Sequence, residues 1–99
     1  MNGLTSKQRK HLRGLAHALE PIVHVGKGRV SDELVGQVDR ALEAHELIKI
    51  RFVDGKEERV ELSAEICRRT GAAEAGRVGH VAILYRPHPD ESKRRIRLD

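Results

Sequence analysis

Ile22-Val23-His24-Val25-Gly26-Lys27-Gly28-Arg29-Val30-Ser31-Asp32 reads as a short apolar strand, a glycine-and-cation loop and a helix start. Ser31 is the natural N-cap, and Asp32 and Glu33 in the first turn suit the positive end of the helix dipole. The helix that follows carries its apolar positions at Leu34, Val35, Val38, Ala41 and Leu42, a 3.6-residue stripe. A strand running through a tight loop into an amphipathic helix is the building unit of an α/β fold.

Working outward, Thr5-Ser6-Lys7-Gln8 forms a capping box, with Gln8 three residues after the cap. Leu12, Leu15, Ala16 and Leu19 then define an apolar helical stripe that ends before Pro21, because the residue before proline is pushed out of the α region. Leu47 to Val53 alternates as a strand, with Ile48, Ile50 and Phe52 on one face. Lys49 and Arg51 lie on the other face, beside Leu47 and Val53. Asp54-Gly55 makes a turn, and Asp54 is also a candidate cap for a third helix over about Lys56 to Thr70. That helix carries two apolar rows, one of Val60, Ser63, Ala64 and Cys67 and one of Leu62 and Ile66, and both remain candidates for its buried face. Arg68 and Arg69 in its last turn and Gly71 just beyond form a C-terminal signal. Ala73 to Val78 and His80 to Tyr85 read as a hairpin turning near Gly79. The order is α-β-α-β-α-β-β, which predicts a single compact α/β domain with a four-stranded mixed sheet and helices packed against it.

The 99 residues suit one modest core, and Phe52 and Tyr85 are the only Phe, Trp or Tyr, so that core is aliphatic. Charge is unevenly placed. Residues 1–30 hold six Lys/Arg against Glu20 alone, a net +5, while residues 31–85 hold eight against eleven acids, a net −3. Residues 86–99 return to +2, so basic ends flank an acidic middle, the pattern of one cationic face. The lone Cys67 rules out an internal disulfide and fits a reducing compartment. No signal peptide or transmembrane run is visible, so a cytoplasmic protein without a membrane partner is expected.

The loop has two readings, an anion cradle in which free amides and the cations Lys27 and Arg29 meet phosphate, or a tight strand-to-helix turn. It is neither a Walker A motif nor a dinucleotide fingerprint, since the required further glycine is missing in both cases. Asp32 and Glu33 argue against a phosphate seated deep on the helix end, and favour contact through the loop amides and the two cations. On the first helix Lys7, Lys10, Arg13 and His17 oppose the apolar stripe, with Arg9 on its flank. Such a row is usually a solvated face and less often the footprint of an anionic partner; Arg9, Arg13 and His17 are four apart without an acid among them, a self-repelling row that keeps the partner open. Lys49 and Arg51 extend that field if the sheet face carrying them is open. The six histidines show no metal-ligand spacing, Cys67 reads as a core residue, and the serines read as caps, a helix position and tail, so no enzyme, metal or cofactor is expected. Tyr85 either stacks on a base or packs at the core edge.

Four stretches match a known family in order. They are Leu4-Thr5-Ser6-Lys7-Gln8-Arg9-Lys10-His11-Leu12-Arg13-Gly14-Leu15-Ala16-His17, Ala41-Leu42-Glu43-Ala44-His45-Glu46-Leu47-Ile48-Lys49-Ile50, Arg69-Thr70-Gly71-Ala72 and Leu84-Tyr85-Arg86-Pro87. On these residues the chain resembles the bacterial stand-alone CRM-domain (YhbY-like) family of ribosome-associated RNA-binding proteins. The resemblance implies a fold similar to the C-terminal domain of translation initiation factor three. It also implies a loop like the GxxG loop of KH domains, carried here by Gly26, Lys27, Gly28 and Arg29. The family usually has glycine at the fourth loop position, where this chain has Arg29. The domain is expected over residues 1–87, with 88–99 a charged tail in which Ile96 and Leu98 form a candidate edge strand. The function implied is non-catalytic binding of structured rRNA in large ribosomal subunit assembly, as a monomer on the precursor large subunit. The contacts expected are the loop, Lys7, Arg9, Lys10, Arg13, His17, Lys49 and Arg51. The alternative is an adaptor that recruits a ribosomal protein or assembly factor through the acidic middle.

Overall fold

A computed structural model describes residues 3–26, 30–53 and 59–98. The elements are α1 (Ser6–Ala16), β1 (Pro21–Val25), α2 (Asp32–His45), β2 (Leu47–Phe52), α3 (Arg59–Thr70), β3 (Ala73–Val78) and β4 (Val81–Tyr85), with a short 3-10 turn at Glu91–Lys93. The four strands make one mixed sheet in the order β1-β2-β4-β3. β1 runs parallel to β2 through the α2 crossover, and β4 is antiparallel to both β2 and β3. The expected element order and sheet are therefore those observed.

Local chemistry accounts for the element ends. The Thr5 hydroxyl accepts from the Gln8 N–H at 3.0 Å, and the Gln8 side chain accepts from the Thr5 N–H at 3.0 Å, closing the capping box. Ser31 caps α2 by accepting from the Leu34 N–H at 3.1 Å. Gly71 ends α3 at φ +77°, a conformation that costs a side-chain-bearing residue more than glycine. Asp54-Gly55 and the proposed start of α3 at Lys56 lie outside the described residues.

β2 separates two cores. Ile48, Ile50 and Phe52 join Val23, Val25, Val38, Leu42, Ile66 and Leu84 under α2 and α3. Leu47 faces the other way and packs with Leu4, Leu12, Ala16, Ala75, Ile83 and Tyr85 under α1. Of the two rows on α3, Leu62 and Ile66 are buried together with Ser63, while Val60 stays 56% exposed. Ser63 is buried because its hydroxyl donates to Glu74 at 2.7 Å. The stripe read on α1 is shorter than expected. The helix ends at Ala16, and only Leu12 and Ala16 are buried; Leu15 and Leu19 remain exposed along a groove with Ile22. The cause is topological, since β1 is an edge strand that α1 does not cover.

The tail does not add an edge strand. After the 3-10 turn, residues 94–98 run irregularly, and Ile96 and Leu98 pack against the α1-side core. Glu46 holds them there. This residue is buried, sits at φ +62°, and accepts from the His88 N–H at 2.9 Å and the Arg95 N–H at 2.5 Å. Charge-assisted bonds to two backbone amides offset both its burial and its strained backbone. Burial, and next the Glu46 carboxylate, hold the Tyr85 hydroxyl above the ordinary tyrosine pKa. Arg86 locks the opposite side, donating to the Thr70 carbonyl at 2.8 Å and the Asp39 carbonyl at 3.1 Å while pairing with the Asp39 carboxylate. Glu46→Ala should cost about 1–2 kcal/mol in denaturant unfolding, because the half-buried His88 and Arg95 N–H groups lose their acceptor. Glu46→Gly relieves the backbone but should still fall about 1 kcal/mol below wild type; a glycine variant as stable as wild type contradicts the clamp.

Candidate nucleic-acid interface

The α1 side of the sheet is built of three rows set by strand register. Ala73, Tyr85 and Leu47 lie side by side, then Gly76, Ile83 and Lys49, then Val78, Val81, Arg51 and His24. The first row is covered by α1. The third is open: Val78, Arg51 and His24 are exposed and Val81 is half-buried. Alternation along β2 therefore carries Lys49 and Arg51 to the face shared with α1, at the end that α1 leaves uncovered.

Between the end of α1 and this open row lies a cleft of about 640 Å³. Arg13, His17 and Glu20 come from α1 and the segment after it, Lys49 and Arg51 from β2, and Val78, Val81 and Ile83 from the hairpin. Lys49 donates to the Leu19 carbonyl at 2.9 Å, tying the α1–β1 connection to the sheet. Arg13 lies across β3 and donates to the Ala75 carbonyl at 3.3 Å. Glycine at 76 makes room for this: a Cβ there would stand 2.7 Å from the Arg13 Cδ. Among the described residues the side chains of Arg51, His17 and Glu20 have no hydrogen-bond or ion-pair partner.

The sequence-derived cations are thus divided. Arg13, His17, Lys49 and Arg51 converge on one cleft. Lys7 lies on the far flank of α1 near Arg97, and Lys10 points outward. Arg9 is half-buried and spent on its own chain, donating to the Leu4 carbonyl at 2.6 Å and the Ser6 hydroxyl at 3.2 Å. Gly26 leaves β1 two residues after His24 and is exposed. Lys27, Gly28 and Arg29 lie outside the described residues. The loop they belong to springs from buried Val25 and returns at buried Val30, whose carbonyl accepts from Arg69 at 3.1 Å.

Arg69 also pairs with Asp32. The acid that argued against an anion at this helix end is therefore partly neutralised by α3. Residue-type reasoning missed Arg69, which looked like a C-cap cation, and it missed His24, Glu20 and Gly76. His24 had a signal, since it alternates with Val23 and Val25; Gly76 had none, because its role depends on α1 crossing β3.

Tyr85 is buried, which removes it from stacking on an exposed base. Burial, and next the Glu74 carboxylate, push the Cys67 thiol up to about 11, so it is protonated at neutral pH and a poor nucleophile. Among the described residues no three His, Cys, Asp or Glu side chains gather as metal ligands. No described helix is long and apolar enough to cross a membrane.

Residues 4–86 match the CRS1/YhbY (CRM) domain. The chain belongs to this family. It is 38% identical over 88 residues to a Haemophilus influenzae protein named an RNA-binding protein, covering 88% of this chain and 89% of that one. It is 36% identical to a Bacillus subtilis protein named a probable RNA-binding protein, over 84% of this chain and 88% of the relative. A solution structure from Staphylococcus aureus, described as a candidate RNA-binding protein, superposes with a TM-score of 0.83 at 31% identity. That match covers 98% of this chain and 100% of the other.

Gly76→Ala is expected to lift Arg13 off β3 while changing the unfolding free energy by less than about 1 kcal/mol, since a strand gains little from glycine. The Arg13 Nε–Hε resonance reads this directly; an unshifted resonance contradicts the seat.

Proposed function

We propose that this chain is a non-catalytic RNA-binding protein that contacts structured rRNA and acts in assembly of the large ribosomal subunit. The observation that carries the reading is the convergence of Arg13 and His17 with Lys49 and Arg51. These basic side chains come from separate elements yet share the open end of one sheet face, beside the strand end that leads into the Gly26–Arg29 loop. α2 and α3, by contrast, carry Asp32, Glu33, Asp39, Glu43, Glu61 and Glu65 against Arg40, Arg59, Arg68 and Arg69, so the opposite layer is acidic on balance. Relatives named for RNA binding and a CRM domain over nearly the whole chain support the same class.

In this reading the cleft cations and the loop hold phosphate and ribose, so binding draws on counterion release and is weakly selective for sequence. Lys27 and Arg29 are the loop contacts, with Arg29 supplying charge where the family has a glycine amide. Arg9 serves the fold first, while Lys7 and Lys10 add long-range field from the outer side of α1. The protein acts as a cytoplasmic monomer on the precursor large subunit.

Arg13 and Arg51 are exposed, so Arg13→Glu with Arg51→Glu should leave the thermal midpoint near wild type. The same double variant should weaken binding to a protein-free rRNA fragment at least tenfold and flatten the salt slope by about two. Lys27→Glu with Arg29→Glu should abolish co-sedimentation with precursor large subunits. Wild-type binding by both double variants contradicts the interface. A shallow wild-type salt slope favours instead an adaptor that docks a ribosomal protein.

A further inference from the structure

We infer that the cleft between α1 and the open sheet row receives one unpaired nucleotide, with guanine as the preferred base. This rests on the RNA-binding reading and adds to it a pocket for a base, where phosphate contact alone needs none. Three features of the cleft call for more than a backbone.

The first is its floor. Paired RNA offers side chains mainly phosphate, ribose and a shallow minor groove, and cations are enough to hold it. Here Val78 is 68% exposed, stands beside half-buried Val81, and continues to Ile83 at the back. An aliphatic shelf left bare between cations matches the flat apolar face of a base. A cleft of about 640 Å³ also falls within the range of sites that enclose small ligands.

The second is the source of stacking. Phe52 and Tyr85 are buried, at 1% and 2% exposure, so no aromatic ring of either kind reaches the surface. Flat polar side chains take that place: a base on the valine shelf would be covered by the Arg13 guanidinium or the His17 imidazole, with Arg51 on its phosphate. Gly76 keeps the Arg13 stem low on the sheet, which leaves the shelf accessible from above.

The third is Glu20. A carboxylate on a cleft meant only for phosphate would repel its ligand, yet Glu20 lines it and has no partner among the described residues. An ionised carboxylate only accepts hydrogen bonds. Guanine presents two adjacent donors on its pairing edge, N1–H and N2–H, which fit the two oxygens together. Adenine and cytosine place an acceptor beside their amino group, and uracil flanks its one N–H with two carbonyls. Glu20 therefore selects guanine and does so only when the base is unpaired.

The test compares one RNA stem in fluorescence anisotropy as a fully paired hairpin, with a single abasic bulge, and with a bulged G, A, C or U. Wild-type protein should bind the bulged-G hairpin about tenfold tighter than the paired and abasic forms, with the other bases between. Glu20→Ala, at an exposed position, should bind the bulged-G hairpin more weakly than wild type, level with the other bulges, while the paired and abasic hairpins are bound at least as tightly as by wild type. Equal binding to all six hairpins with a steep salt slope overturns the nucleotide pocket and leaves the RNA-binding reading standing. An unchanged G preference in Glu20→Ala overturns the assignment of Glu20. Failure to bind any hairpin overturns both the pocket and the reading beneath it.

Discussion

Alternation along β2 is the constraint on which the rest of this molecule depends. The strand is paired on both sides, parallel to β1 and antiparallel to β4, so its register cannot slip without exposing Ile48, Ile50 and Phe52. With those three turned toward α2 and α3, Leu47, Lys49 and Arg51 must face α1. An α1 of 11 residues is about 16 Å long and covers only part of a four-stranded sheet. Leu47 is under it, Lys49 is at its edge and Arg51 is beyond it. Packing and the cationic cleft are consequences of one pairing.

Electrostatics follows the same division. Cations on α1 have no acid in the first turn to suit the helix dipole and no acid among them to relieve their repulsion. That arrangement costs isolated helix stability, which the capping box and burial of Leu12 and Ala16 offset. Acids gather instead on α2, where Asp32 meets Arg69 and Asp39 meets Arg86. These pairs join α2 to α3 and to the segment after β4. The buried Glu46 does similar work for the tail, with two backbone amides in place of a cation.

Much of this was legible in the residues. Periodicity gave the element order, Thr5, Ser31 and Gly71 marked helix ends, and the split of β2 into apolar and cationic faces was visible in Leu47 to Val53. What sequence could not show was which cations meet. Arg9 and Arg13 look equivalent four residues apart, yet Arg9 bonds the Leu4 carbonyl while Arg13 reaches β3. The stripe through Leu15 and Leu19 was overextended because periodicity does not reveal which strands a helix covers. Two acids did carry an unread signal. Glu46 sits at a helix C-terminus, where the dipole disfavours negative charge, and Glu20 is the one acid in a basic segment.

The central claim is that one sheet face, the end beyond α1, is where RNA is held. Backbone amide shifts in a titration of the labelled protein with an rRNA fragment test it most directly. Perturbations are expected to cluster at Arg13–Glu20, Lys49–Arg51, Val78–Val81 and the residues next to Gly26. Perturbations confined to the outer surface of α2 and α3, with that face silent, would contradict it.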